Sequence, residues 1–177
     1  MLELASSTVK VLGVFGRLSK EYEKYFDSIE SKYSTKPEGN EYDIFRHLTL
    51  TFITDATICD INSQLKLLKD IKRFLPLKIK TIKAFVKKEE SLDGAEHIAI
   101  EFNLSETKEL IDCIKLYADN ATVETWYIKV AWFVPKDIQN KVISELNSLE
   151  ELEFTDFYLC ANKQDDANTI FKSTDFN

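Results

Sequence analysis

Metal-ligating residues are scarce in this sequence: two histidines, His47 and His97, and three cysteines in 177 residues. Cys59, Cys113 and Cys160 are far apart, and no Cys-x-x-Cys occurs. This argues against a zinc site, which needs ligands at short, regular spacings. It predicts reduced, mostly buried thiols in an intracellular protein. Asp55, Asp60 and the pair Asp165-Asp166 have no metal-ligand spacing. Neither G-x-x-x-x-G-K-[ST] nor G-x-G-x-x-G is present, so the common glycine-rich phosphate cradles are absent. No nucleophile elbow supports a Ser/His/Asp triad. No apolar run approaches the roughly 18 residues of a membrane-spanning helix. The stretch from Met1 to Thr8 carries no basic leader, and together these absences predict the cytosol or another reducing compartment. Basic residues are the minority, 23 against 30 acidic ones, for a net charge of −7. Gripping a long nucleic acid by bulk charge takes many phosphate contacts. A small anion in a local basic pocket is a different matter and stays open. Protein partners are not legible.

What is present is ordinary globular composition, with 44% hydrophobic and 30% charged residues. The length fits a single domain over residues 1–177. Strands are predicted over residues 9–16, 46–53, 77–87, 95–102 and 123–134, with a closing hairpin over 153–161 and 168–174 around Asp165-Asp166. Helices are predicted over 19–34 behind Ser19, 60–75 capped by Asp60, 105–118 opened by Ser105 and Lys108, and from Pro135 to about 148. Pro37 and Gly39 mark a loop, and Asp93-Gly94 a turn. Helices separate most strands without strict alternation, which predicts an α+β fold on a mixed sheet.

Strand side chains alternate between faces. Leu48, Leu50 and Phe52 share one face, opposite His47, Thr49 and Thr51. Ile98, Ile100 and Phe102 oppose His97, Ala99 and Glu101. Trp126, Ile128, Val130 and Trp132 oppose Tyr127, Lys129 and Ala131. Three strands thus each offer an apolar face to helices and a polar face to an open cleft.

His47-Leu48-Thr49, inside an apolar strand, resembles the H-x-T motif of the two-histidine phosphoesterase superfamily, which includes RNA 2′,5′-ligase-like proteins and cyclic phosphodiesterases. A strand and a helix precede it as in that family. His97-Ile98-Ala99-Ile100-Glu101-Phe102 resembles the family's central strand, and Phe154-Thr155-Asp156-Phe157-Tyr158-Leu159 the strand after its last helix. The resemblance covers the whole chain. It implies two lobes related by a pseudo-twofold axis, a concave cleft and helices outside. It also implies a second H-x-T motif. At the matching place, 80 residues on, stand Tyr127-Ile128-Lys129.

In that family two imidazoles act as base and acid without a metal or other cofactor, and two threonine hydroxyls hold the phosphoryl oxygens. The resemblance assigns His47 to proton transfer and Thr49 to the phosphate. Tyr127 and Lys129 then replace the second pair. An ammonium binds phosphate well but is a poor base, and a phenol is a slow acid at neutral pH. The implied ligand is a small nucleotide or short oligonucleotide, bound with weak or lost hydrolysis; an active cyclic-nucleotide or RNA phosphodiesterase and a non-catalytic protein-interaction scaffold are the alternatives. Other readings stand beside these assignments. Thr49 and Thr51 also suit a strand as β-formers, and Lys129 a snorkelling surface position. His97 is either solvent-facing or a second imidazole from the neighbouring strand. Phe15 either stacks on a base or packs in the core. Lys78, Lys80, Lys83, Lys87 and Lys88 form either a solvated edge or a phosphate-steering rim.

Overall fold

In the computed structural model, residues 9–35, 46–89, 94–119, 123–163 and 166–172 are described. In chain order they form β1 (Val9–Leu18), α1 (Lys20–Tyr33), β2 (His47–Thr49), β3 (Ile53–Ala56) and α2 (Ile58–Ile71), which ends in a 3-10 turn. Then come β4 (Leu77–Glu89), β5 (Ala95–Phe102), α3 (Lys108–Ala118), β6 (Tyr127–Trp132), α4 (Lys136–Leu146), β7 (Glu151–Lys163) and β8 (Asp166–Lys172). The predicted loop with Pro37 and Gly39 lies outside the described residues, as do Asp93 and Asp165. Asp60 is not the cap of α2. Thr57 is, and Asp60 closes a capping box from three residues in, accepting the Thr57 backbone N–H at 2.7 Å. An acid at either position looks alike in sequence, because both satisfy orphan backbone donors at a helix start. Of the two residues expected to open α3, Lys108 is its first residue, behind Thr107, and Ser105 lies before it.

The strands run in the order β2-β1-β7-β4-β5-β6, with β3 also on β1 and β8 on β7. The α+β class holds, but every pairing among the described strands is antiparallel, not mixed. The connections explain this. β2 enters beside Arg17, where β1 ends, and β6 enters beside Glu101, where β5 ends. Each helical connection returns the chain to the end it left, so the next strand must run back.

The units β1–α1–β2 and β5–α3–β6 are the two related halves, matching Phe15↔Thr49 in one with Ala99↔Lys129 in the other. The lobes join where Leu77 of β4 pairs with Phe154 of β7. Leu48, Leu50, Ile98, Ile100, Phe102, Ile128 and Val130 all enter one core with the helices, as alternation predicted. α1 packs on β6, α2 on β1 and β7, and α4 on β4 and β5. The two end strands, β2 and β6, stand side by side without a ladder between them. Arg46 Nε donates to the Val130 carbonyl at 3.1 Å, and the Val123 N–H to the Leu50 carbonyl at 3.3 Å.

β4 is not a solvated edge: its start pairs with β7 and its remainder with β5. Four of its lysines meet carboxylates on neighbouring elements: Lys78 with Glu151, Lys80 with Glu106, Lys83 with Glu101, and Lys88 with Glu96. These pairs are mostly exposed and individually worth little, but they compensate the cluster's charge.

Alternation fails at the same place in each half. The N–H groups of Leu50 and Thr51 both donate to the Val14 carbonyl, at 2.9 and 3.3 Å. Two residues facing one make a β-bulge, beyond which the faces exchange. Thr51, expected in the cleft, is fully buried. Its hydroxyl accepts from the Val14 N–H at 3.0 Å and donates to Gln64 at 2.6 Å. Phe52, expected in the core, is turned outward and 48% exposed. Gly13 permits the arrangement, because a Cβ there would lie 2.7 Å from the Thr51 carbonyl oxygen. In the other half, the register of β6 against β5 slips between Lys129 and Ala131. Ala131 turns into the core, and Trp132, expected beside Val130, crosses to the opposite face.

Candidate functional site

Because β2 and β6 meet at the seam of the sheet, their polar faces line one cleft. His47 and Thr49 from β2, Tyr127 and Lys129 from β6, and Phe15 from β1 surround a cavity of about 540 Å³. Strands 80 residues apart in sequence thus bring all five expected residues together. Phe52 and Glu89 join them.

Phe15 meets the His47 ring edge-on, with centroids 4.7 Å apart, and stacks on Tyr158 at 5.6 Å. It orients the imidazole, and one of its faces is already occupied. The Tyr127 ring lies near-parallel to His97 at 6.5 Å and carries the Lys87 ammonium 4.2 Å from its centre. Offset stacking and cation–π contact of this kind hold a ring in place. Lys129 extends over Trp132, 5.0 Å from the ring, and forms an ion pair with Glu89 at 3.1 Å. Burial works against the charge of Glu89, but Lys129 and then Lys87 outweigh it and hold the carboxyl below its ordinary range. Glu89 lies two residues beyond the strand that the sequence predicts over 77–87, so the sequence pattern does not place it at the site. Carrying the alternation two residues further puts Glu89 on the same face as Lys87.

His97 is neither solvent-facing nor at the cleft surface. It is 1% exposed, its ring centre 4.6 Å from that of Trp132, and neither ring nitrogen has a hydrogen-bond partner. Burial, and then the positive charge of Lys129, bring its pKa down to about 4, so it carries no proton to donate at pH 7. This has a consequence for stability. The unfolded imidazole takes up a proton near pH 6.5 and the folded one only near 4. Stability from this group is complete above pH 6.5 and is lost as the pH falls toward 4, by on the order of 2–3 kcal/mol. Urea unfolding at pH 7.5 and 4.5 is expected to show that loss in the natural chain and much less of it in His97→Phe. An equal loss in both would assign the acid sensitivity to other groups.

Among the described residues, no three His, Cys, Asp or Glu side chains gather as metal ligands. All three cysteines are free thiols, but only Cys113 is buried, and Cys59 is exposed. No described helix is long and apolar enough to cross a membrane.

An antiparallel α+β sheet in which two related strands face each other across a cleft is an arrangement this chain shares with solved structures. The structure of Kluyveromyces marxianus Usb1 matches with a TM-score of 0.58 at 8% identity, over 93% of this chain and 98% of that one. Usb1 with uridine monophosphate matches at 0.54 and 10% identity, over 92% and 97%. Escherichia coli LigT complexed with phosphate matches at 0.51 and 12% identity, over 94% and 95%. At these identities the likeness is one of fold. No protein-family model matches the sequence, and no curated protein matches it.

Proposed function

We propose that the cleft binds the phosphate of a small nucleotide or short oligonucleotide and hydrolyses phosphodiesters weakly or not at all. The observation that carries this reading is the composition of the cleft: one imidazole, His47, facing a phenol and an ion-paired ammonium across the seam. In this reading His47 and Thr49 hold the phosphate by hydrogen bonds from the ring and the hydroxyl. Lys129 adds charge from the opposite strand, and Tyr127 and Phe15 line the walls. Metal-free cleavage needs both a base and an acid near neutrality; His47 supplies one of the two, and a phenol or an ammonium gives up its proton reluctantly at pH 7. The ligands bound by the similar structures, uridine monophosphate and phosphate, are of the class the cleft is proposed to take.

Glu89 shapes the affinity. An incoming phosphate meets Lys129 already neutralised, so binding exchanges a carboxylate for a phosphate. Lys129→Ala is expected to weaken binding, and Glu89→Gln to strengthen it about 3–10-fold, since the competing anion is gone. Calorimetric titration with inorganic phosphate, uridine monophosphate and a 2′,3′-cyclic nucleotide reads both, and added salt should weaken binding by screening. Chromatography of the incubated mixtures, with and without EDTA, reads turnover. The expected result is binding, little or no cleavage, and no effect of chelation. Rapid His47-dependent cleavage would make the protein an active phosphodiesterase. Absence of binding to all three ligands, with Lys129→Ala silent, would leave a non-catalytic scaffold.

A further inference from the structure

Beneath the cleft, a buried imidazole and a buried carboxylate oxygen share one face of the sheet. His97 of β5 is fully buried, and neither ring nitrogen has a hydrogen-bond partner. It has given up its water without recovering a partner, which is costly for a polar group. Glu89 Oε2 of β4 is buried too, and the charge it meets is the Lys129 ammonium at 3.1 Å. His97 stands opposite Lys87 in the β4–β5 ladder, and Glu89 lies on the Lys87 face two residues further on. The imidazole and the carboxylate are therefore diagonal neighbours, a spacing that a long side chain spans.

The titratable groups that the neighbouring strands turn toward His97 are Lys87 and Glu89 from β4, and Tyr127 and Lys129 from β6. On β5 itself Ala95 and Ala99 flank the ring, and Glu101, beyond Ala99, pairs with Lys83. Burial first, and then Lys129, oppose a proton on His97; Glu89 favours one, and Lys87 opposes it. While Lys129 and Glu89 hold each other, their effects on the ring offset in part, and burial keeps it neutral. Lys87 keeps its ammonium over the Tyr127 ring, 4.2 Å from the centre.

An anion in the cleft reverses this balance. Once it takes Lys129, it neutralises the charge that opposes a proton on His97 and releases the carboxylate that favours one. The released oxygen is buried and requires a counter-charge. We propose that the cleft takes up its anion together with one proton, and that the proton settles on His97, which replaces Lys129 as the partner of Glu89. The proposal rests on the cleft binding an anion at Lys129 as argued above. The proton comes from solvent, adds to the unprotonated ring nitrogen, and returns to solvent when the anion leaves. The imidazolium donates from both nitrogens, one of them to Glu89. Lys87 is the competing cation, but it would have to surrender its contact with Tyr127. Linkage makes the coupling reciprocal: the anion makes His97 easier to protonate, and acid makes the anion bind more tightly.

Inorganic sulfate is the probe, because it stays doubly charged over the working range and takes up no proton of its own. The chain has two histidines, so NMR follows each imidazole, assigned with His47→Gln or His97→Phe. Without sulfate, His97 is expected to titrate at about 4. With saturating sulfate, its midpoint is expected to rise by at least about one pH unit. Calorimetry on the His47→Gln chain, where the other imidazole contributes nothing, is expected to show sulfate affinity rising about tenfold from pH 7 to pH 5. Adding His97→Phe should flatten that rise. Glu89→Gln should leave the His97 midpoint almost unmoved by sulfate, since the carboxylate that rewards the proton is gone. The spectra of the natural chain decide the matter even where a variant fails to fold. A His97 midpoint that stays in place while sulfate binds would assign the released Glu89 to Lys87 and overturn the coupling, with the anion site still standing. A full displacement in Glu89→Gln would overturn the exchange of partners. A chain that binds no sulfate at either pH would remove the coupling and the anion site together.

Discussion

Tyr127→His combined with Lys129→Thr and Glu89→Gln is expected to raise phosphodiester turnover by about 10²–10⁴ over the natural chain, the usual worth of a positioned general acid or base. The substitutions rebuild H-x-T on β6, opposite His47-Leu48-Thr49. The backbone needed for this is in place, because Tyr127 and Lys129 already line the cleft with His47 and Thr49. The third substitution is required by charge. Lys129 is the ion-pair partner of Glu89 at 3.1 Å, and removing the ammonium alone would leave a half-buried carboxylate without its counter-charge beside an incoming phosphate. A 2′,3′-cyclic nucleotide followed by chromatography measures the gain. Adding His47→Ala to the rebuilt chain should abolish it, since one imidazole cannot serve as both base and acid in the same step. A rebuilt, folded chain that stays inert would mean that the cleft differs from a phosphodiesterase site by more than its second motif.

Arg46→Met is expected to lower the free energy of unfolding by about 3–5 kcal/mol, the cost of breaking a buried ion pair from one side. The Arg46 side chain is 5% exposed. Its guanidinium pairs with Glu30 at 2.8 Å and with Asp27, and donates to the Val130 carbonyl at 3.1 Å. Asp27 lies largely in solvent and contributes little. The weight rests on Glu30 and on the carbonyl, whose donor no methionine replaces. Arg46 also precedes His47, and Val130 follows Lys129. One side chain therefore ties the two cleft-lining strands together at a seam where no ladder joins them. Phosphate affinity should fall along with stability, and Arg46→Lys should rescue only part of either, because an ammonium lacks the planar fork that reaches three partners at once. Urea unfolding and calorimetry read the two effects. A loss under about 1 kcal/mol would show that the seam is held by the surrounding core instead.

Alternation along residues 47–50 and 126–130 was enough to separate core faces from cleft faces, because the side-chain direction of a strand is a local property of contiguous residues. The same locality made the His47-Leu48-Thr49 strand visible, and the family resemblance pointed from it to the strand of Tyr127 and Lys129, 80 residues on. Alternation ceases to predict a side chain's face where a partner strand sets its position. Thr51, Phe52 and Trp132 lie on faces opposite to those alternation predicts, because a bulge is set by what lies across the ladder, the Val14 carbonyl and the bare Cα of Gly13 for the first two and the Ile98–Ala99 step for the third, and leaves no mark in the alternation itself. Antiparallel pairing, the Lys129–Glu89 ion pair and the burial of His97 arise in the same way, from residues tens of positions apart whose register only the folded sheet determines. The sequence by itself therefore determined that His47, Thr49, Tyr127 and Lys129 lie on the polar sides of their strands. Tertiary structure decided which of them are charged, covered or open within the cleft, because burial and pairing are properties of neighbours that the chain brings together only on folding.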